Sequence, residues 1–286
     1  MKAKHTLCFV VPILVFAVAQ VGAQTGEGAQ TGAGAPGRAG VPGRASVPPP
    51  PPGPPGALSP ENLAKPRPKP PFDLTGNWLY NGRLSQASGG FQYLPLPKLK
   101  PAAQALYEES QKAEAAGKAF HNDAGACWPE GMPMMMTRVW PNQTIQLPTM
   151  ILMIQMLKNE IRWIYLDGRP HGDPEITPPS YAGDSIGHWE GDTLVVETTN
   201  IETNHHWVQT GVTHSDQFKI VERIRLKDNG KTMEDQYTLT DPLTWDGEWV
   251  NTKYFTRSDN TDIGEANCTP ELNDRLFSTR PGSNIR

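Results

Sequence analysis

The sequence predicts a mainly β domain: an antiparallel meander of about eight or nine strands closing into a barrel, with a single helix near its start. Three observations predict it. Short apolar-polar alternations follow one another from residue 144 onward, several of the gaps between them carry hairpin residues, and only one stretch has a helical pattern. Consecutive hairpins without crossover helices make a meander, and that many strands are enough to close one. A two-sheet sandwich is the competing architecture.

Taken in order, Asp73–Tyr80 reads as a short entering strand. Residues 101–118 form the helix, with Pro101 at its start, alanines throughout, Glu108 and Lys112 at helical spacing and Gly117 to stop it. An irregular stretch, Cys127-Trp-Pro-Glu-Gly-Met-Pro-Met, follows. The strands are then Thr144–Leu147, Met150–Leu157, Glu160–Leu166, Ser185–Trp189, Asp192–Thr199, Gln217–Leu226, Thr232–Thr240 and Glu248–Arg257. Lys158-Asn159, Glu190-Gly191 and Asp228-Asn229-Gly230 supply hairpin signals between them.

The chain ahead of this domain has a different composition. Residues 1–71 hold 15 of the 29 prolines and 10 of the 27 glycines, with seven Lys/Arg against two Asp/Glu. The remaining 215 residues therefore carry 19 basic and 28 acidic side chains, about −9, where the whole chain is −4. Nucleic acid and anionic membranes need clustered Lys/Arg to displace counterions, so an acidic domain is not expected to take either as a partner. Lys2, Lys4 and His5, the apolar stretch Leu7–Ala19 and the small residues Val21-Gly22-Ala23 have the layout of a secretory signal peptide over residues 1–23. The apolar run is shorter than the roughly 18–20 residues of a membrane span and contains Pro12, so no span is expected. Export to a periplasm or outside the cell is the expected location. Residues 24–71 read as a disordered linker, with four Gly-X-Y triplets from Gly34 to Ala45 and a polyproline run at Pro48–Pro52. The partner of that proline-rich segment, if it has one, is unknown. Residues 72–286 make one domain.

Cys127 and Cys268 survive signal cleavage and are disulfide candidates, although pairing is not readable from sequence. Two thiols cannot build a cysteine-rich zinc cage.

Strand alternation locates chemistry. In Gln217–Leu226, Glu222 shares a face with Phe218, Ile220, Ile224 and Leu226, and on the next strand Asp235 shares one with Met233, Tyr237 and Leu239. A carboxylate on an apolar face must be paired, hydrogen-bonded or neutral. Glu222 is then either a ligand anchor or general base, or one half of a structural salt bridge. Tyr165-Leu-Asp-Gly-Arg-Pro-His171 runs from a strand into a turn, so Asp167, Arg169 and His171 project from a loop at a strand end, where binding groups collect. His171 beside Asp173 or Asp184 could exchange protons near neutral pH. His188, His205, His206 and His214 lie close in sequence without a His-x-x-x-His or His-x-His spacing. Assembled across a barrel, His171, His214 and Glu222 could hold a divalent metal; otherwise no cofactor is expected. No Gly-x-Ser-x-Gly elbow, phosphate loop or dinucleotide fingerprint occurs. Eight tryptophans, Trp163 and Trp189 among them, together with a run of methionines at Met132–Met136, could line an adaptable apolar pocket.

Gly76-Asn77-Trp78 resembles the Gly-x-Trp signature that opens lipocalin-type barrels. A second resemblance spans residues 72 to the end. Tyr165-x-Asp167-Gly168-Arg169-x-His171, Ser185-Ile-Gly187-His-Trp189-Glu190-Gly191-Asp192-Thr with the strand behind it, His214-Ser215 and Glu222-Arg223 are similar to a large family of exported bacterial proteins with no established activity. The family usually has proline after the histidine of the Asp-Gly-Arg segment, where this chain has Gly172. That resemblance implies export, one domain and shared polar residues at His171, His214 and Glu222, and it names no substrate.

The leading expectation is an exported, lipocalin-like barrel that binds a small apolar or aromatic molecule in its interior. Trp163, Trp189 and other tryptophan and methionine side chains would form walls, with Asp167, Arg169, His171, Glu222 and Asp235 as polar anchors. The alternative is an enzyme in the same pocket, using His171 or His214 with Glu222 for acid–base isomerisation, elimination or hydrolysis. A protein-interaction module stands third.

Overall fold

The computed structural model describes residues 55–269 apart from 119, 121, 122 and 124. The expected signal peptide, the Gly-X-Y triplets and the proline run Pro48–Pro52 lie outside the described residues. Helices α1 (Pro60–Leu63) and α2 (Pro101–Ala115) accompany strands β1 (Gly76–Tyr80), β2 (Lys98–Leu99), β3 (Asn142–Gln146), β4 (Met150–Gln155), β5 (Ile161–Tyr165), β6 (Asp184–Glu190), β7 (Thr193–Thr199), β8 (Lys219–Lys227), β9 (Thr232–Thr240), β10 (Trp245–Asp246) and β11 (Glu248–Ser258). Nine of the strands close a barrel in the order β1-β11-β9-β8-β7-β6-β5-β4-β3, and β2 pairs with β10 in a small separate sheet. A barrel, rather than a sandwich, is therefore the architecture.

One pairing departs from the expected all-antiparallel meander: β5 and β6 run parallel. Strand direction cannot alternate around a closed ring with an odd number of members, so a nine-stranded barrel needs a parallel seam somewhere. It falls at the β5–β6 connection, residues 166–183, a segment containing Pro170, Pro174, Pro178 and Pro179 that is long enough to carry the chain back to the end of the barrel from which β5 started. Elsewhere the hairpins occur where the turn residues were read. Lys158 and Asn159, Gly191, and Asp228-Asn229-Gly230 all take positive φ, as tight connections between right-twisted strands require.

Alternation then fixes which side chains face inward. Arg162 and Ile164 on β5, Ser185 on β6, Val196 and Thr198 on β7, Glu222 on β8, Asp235 and Tyr237 on β9, and Trp249, Asn251 and Lys253 on β11 are all buried and follow one another through the strand register. Two segments fill the space they enclose. From the β1–β2 connection, Tyr93 packs edge-on against Tyr237 and Trp249, ring centroids 5.6 and 6.1 Å apart. From the stretch before β3, Met132, Met135 and Met136 join the same core, and Gln155 Nε2 donates to the Met135 carbonyl at 2.6 Å. Gly131 leads into this stretch at φ +61°; a Cβ there would meet the Tyr181 carbonyl at 2.4 Å and His206 Nε2 at 2.5 Å. Only glycine fits.

Cys127 and Cys268 form a disulfide 141 residues apart in sequence. Closing a loop of that size stabilises the fold by roughly 5 kcal/mol on the chain-entropy estimate. The domain also begins before residue 72. Ser59 caps α1, and Asn62 is buried where it donates to Asp167 Oδ2 at 2.8 Å, so the segment around α1 is fastened to the barrel. Among the described residues no helix is long and apolar enough to cross a membrane.

Candidate ligand-binding site

The strongest polar cluster is sealed inside the barrel. Glu222 receives a two-pronged guanidinium from Arg162: Nη1 donates to Oε1 at 2.8 Å and Nη2 to Oε2. The same guanidinium donates to Thr198 Oγ1 (2.8 Å) and Ser185 Oγ (3.2 Å), and these two hydroxyls lie 2.8 Å apart. Both charges have no solvent exposure, so each is stable only because the other is present. Glu222 thus faces the apolar interior as its alternation required, and of the two roles left open for it the structure shows the salt bridge. Asp235, on β9 beside the β8 strand that carries Glu222, is pushed well above the usual carboxylate range by burial and by the Glu222 charge.

Lys253 sits opposite Asp235 and turns toward the segment that carries Tyr93. Its Nζ donates to the Ser88, Gly90 and Gln92 carbonyls at 3.0, 2.8 and 2.5 Å and lies 4.6 Å above the Tyr93 ring. Burial pulls it down to about 7, while three carbonyl acceptors are all satisfied only by the ammonium form. Lys253 therefore fastens the plug that fills the barrel.

The residues expected to act together are dispersed. His171 lies on the outer wall, its Nδ1 3.0 Å from Asp184 and its Nε2 3.5 Å from Glu197. Gly172 donates its backbone N–H to the same Asp184 oxygen at 2.8 Å, a bond that proline could not make. His214 is buried among loops, Nε2 2.6 Å from His206 Nδ1 and Nδ1 2.9 Å from the Ser215 carbonyl. Burial, with the His214 neighbour adding to it, lowers His206 to about 3, and burial lowers His214 as well. Glu222 is inside the barrel. The three share no partner, so they form neither the acid–base set nor the metal site that the sequence allowed. His205 and His206 also lie off the strands: His205 takes φ +55° in a loop and stacks on Trp128 at 4.1 Å. Trp163, expected as a pocket wall, points outward and is 46% exposed, because the inward position on β5 belongs to Arg162. Among the described residues no group of three His, Cys, Asp or Glu side chains is arranged to hold a metal ion.

Asp167 and Trp189 line one recess at the parallel seam, and Arg169 pairs with Asp167 beside it. The β5–β6 ladder has two residue pairs, Ile164–Ser185 and Tyr165–Ile186. Beyond them Gly187–Glu190 of β6 has no β5 neighbour, and the wall opens. Residues 65–73 cross this opening as a strap clamped at both ends. At one end, Arg67 donates to the Asn62 carbonyl and Oδ1, both at 2.6 Å, and Asn62 in turn holds Asp167. At the other, Gln146 accepts from Leu74 N (2.9 Å) and donates to the Phe72 carbonyl (3.0 Å). Asp167 is itself paired with Arg169, whose guanidinium stacks 4.0 Å over Tyr165, and this hydrogen bond holds Asp167 down to about 2.

Under the strap lies an open recess of about 1290 Å³. Phe72 meets Trp189 edge to face at 4.8 Å on its floor, with Leu147, Leu166 and the strap prolines as further apolar surface. Neither Phe72 nor the strap was legible as part of a site, because a Lys-Pro-Arg-Pro-Lys-Pro-Pro run has the composition of a linker.

No protein-family model and no curated protein matches the chain. Among solved structures, the crystal structure of wild-type fluorescent protein UnaG aligns at 13% identity over 65% of this chain and 97% of that one, with a TM-score of 0.30.

Proposed function

We propose that this chain is an exported binding protein for a small apolar or aromatic molecule, and that the molecule sits in the seam recess rather than at the centre of the barrel. The recess carries the proposal: an opening walled by aromatic, aliphatic and proline side chains, with polar groups at its edge, has the make-up of a ligand site. The barrel centre has a different character, since Tyr93 and the methionines occupy it and Arg162 and Glu222 satisfy one another. The acid–base alternative needs His171 or His214 beside Glu222, and both histidines bond to other groups while Glu222 is held by Arg162. Export is supported by the residue pattern at the amino terminus and is compatible with the disulfide, because such bonds persist in oxidising compartments.

The test is native mass spectrometry of the purified chain, followed by a tryptophan-fluorescence screen of hydrophobic compounds against the parent and Trp189→Ala. A retained small molecule, or quenching that weakens about tenfold in Trp189→Ala, is the expected outcome. If no compound of the screen binds, or if Trp189→Ala binds as the parent does, the recess is not the site.

A further inference from the structure

We infer that the seam recess selects ligands bearing an anionic group, held by Lys65 and Lys69 of the strap. The inference rests on the recess being the ligand site and adds the chemical class of what it takes.

Charge is distributed unevenly around the opening. Lys65, Arg67 and Lys69 alternate with prolines along the strap and all three line the recess, as do the carboxylates Asp73 and Asp167. The carboxylates are engaged: Asp73 Oδ1 accepts from Thr75 N at 2.8 Å, and Asp167 is held by Arg169 and Asn62. Arg67 is engaged too, on Asn62. The ammonium groups of Lys65 and Lys69 form no hydrogen bond or ion pair among the described residues.

Two unengaged cations beside an apolar floor make an amphipathic receptor. The aromatic or aliphatic part of a ligand packs on Phe72, Trp189, Leu147 and Leu166, and its acid group reaches the strap. This placement is also the opposite of what the rest of the domain offers an anion. Residues 72–286 carry 19 basic and 28 acidic side chains, so an anionic ligand is repelled elsewhere and has a local reason to settle here. Clamping at Asn62 and Gln146 keeps the strap in place before any ligand arrives, which lowers the ordering cost of binding. Because both ammoniums are solvent-exposed, salt should weaken the contribution.

The test uses two probes with one aromatic skeleton, neutral N-phenyl-1-naphthylamine and its sulfonate 8-anilinonaphthalene-1-sulfonate, titrated against the full chain at 50 mM salt. The sulfonate should bind about tenfold more tightly. That ratio should fall toward one at 500 mM salt and in Lys65→Gln/Lys69→Gln, whose circular dichroism spectrum checks folding. Equal affinities for the two probes, or a ratio that survives the double substitution, would overturn the anion preference while leaving a neutral-ligand site standing. Failure of both probes to bind, with Trp189→Ala also without effect, would remove the site itself and the inference with it.

Discussion

Inside the barrel Arg162 and Glu222 are fully buried and satisfy one another, whereas at the seam Lys65 and Lys69 line an open recess with no partner among the described residues. Both regions combine charge with aromatic side chains. In the interior, Tyr93, Tyr237 and Trp249 interlock and every nitrogen of the Arg162 side chain donates to an oxygen. At the seam, Phe72 and Trp189 meet on a floor roofed by nine residues of strap. The difference teaches that a buried carboxylate on a strand is evidence of a structural commitment until its partner is known, whereas the place where strand pairing ends leaves a recess open.

The interior should respond to mutation as a stability element and the recess as a binding element. The largest effect is expected for Arg162→Met, which leaves Glu222 buried without its partner and should lower stability by about 3–5 kcal/mol in urea denaturation. Arg162→Met/Glu222→Leu should recover most of that loss, since a packed apolar pair replaces two desolvated charges. An Arg162 variant as stable as the parent would break the comparison on its interior side.

Acid sharpens it next. His206 is neutral in the folded chain down to about 3, while an unfolded histidine takes up its proton near 6.5. Between those values the unfolded state binds more protons, so stability rises with pH across the window and is lost as pH falls through it. From pH 6.5 to 4.5 the loss from this residue should be about 2–3 kcal/mol. His206→Gln should flatten the dependence; urea midpoints at the two pH values that keep the parent's slope would contradict the assignment.

Effects at the seam are smaller and fall on affinity. Trp189→Ala should weaken an aromatic ligand by about 1.4 kcal/mol, a tenfold rise in Kd, with little change in melting temperature. Asp167→Asn loosens the bonds to Arg169 and Asn62 at one end of the strap. It should cost about 1 kcal/mol or less in stability, because the pair is partly solvated, and speed proteolysis near Arg67 relative to the barrel. A strap cleaved no faster than in the parent would mean that Asn62 is held by something else.

Much of the fold was legible because it is local. Alternation placed Glu222 and Asp235 inward, and turn residues placed the hairpins. The parallel seam was not, since hairpin signals describe neighbours in sequence and the seam is made by an 18-residue connection; the odd strand count was the available clue. Partners distant in sequence were also hidden. Arg162 reaches Glu222 across 60 residues, and Ile161-Arg162-Trp163-Ile164 gives no clean alternation from which to choose the inward face. Lys253 was more accessible, because it falls between Trp249 and Phe255 at alternate positions of a long strand. The candidate site was legible only in part. Asp167, Arg169 and Trp189 were named from their motifs, but Phe72, Lys65 and Lys69 belong to a segment whose proline content conceals that its ends are clamped.

The central claim, that the ligand occupies the seam recess and leaves the barrel interior undisturbed, is tested most directly by fluorine NMR of the chain labelled with 5-fluorotryptophan, titrated with 8-anilinonaphthalene-1-sulfonate. Substitutions at Trp189, Trp245 and Trp249 assign the signals. The Trp189 resonance should shift or broaden while Trp245 and Trp249 hold their positions. Movement of Trp245 and Trp249 with Trp189 unchanged would place the ligand inside the barrel and contradict the account.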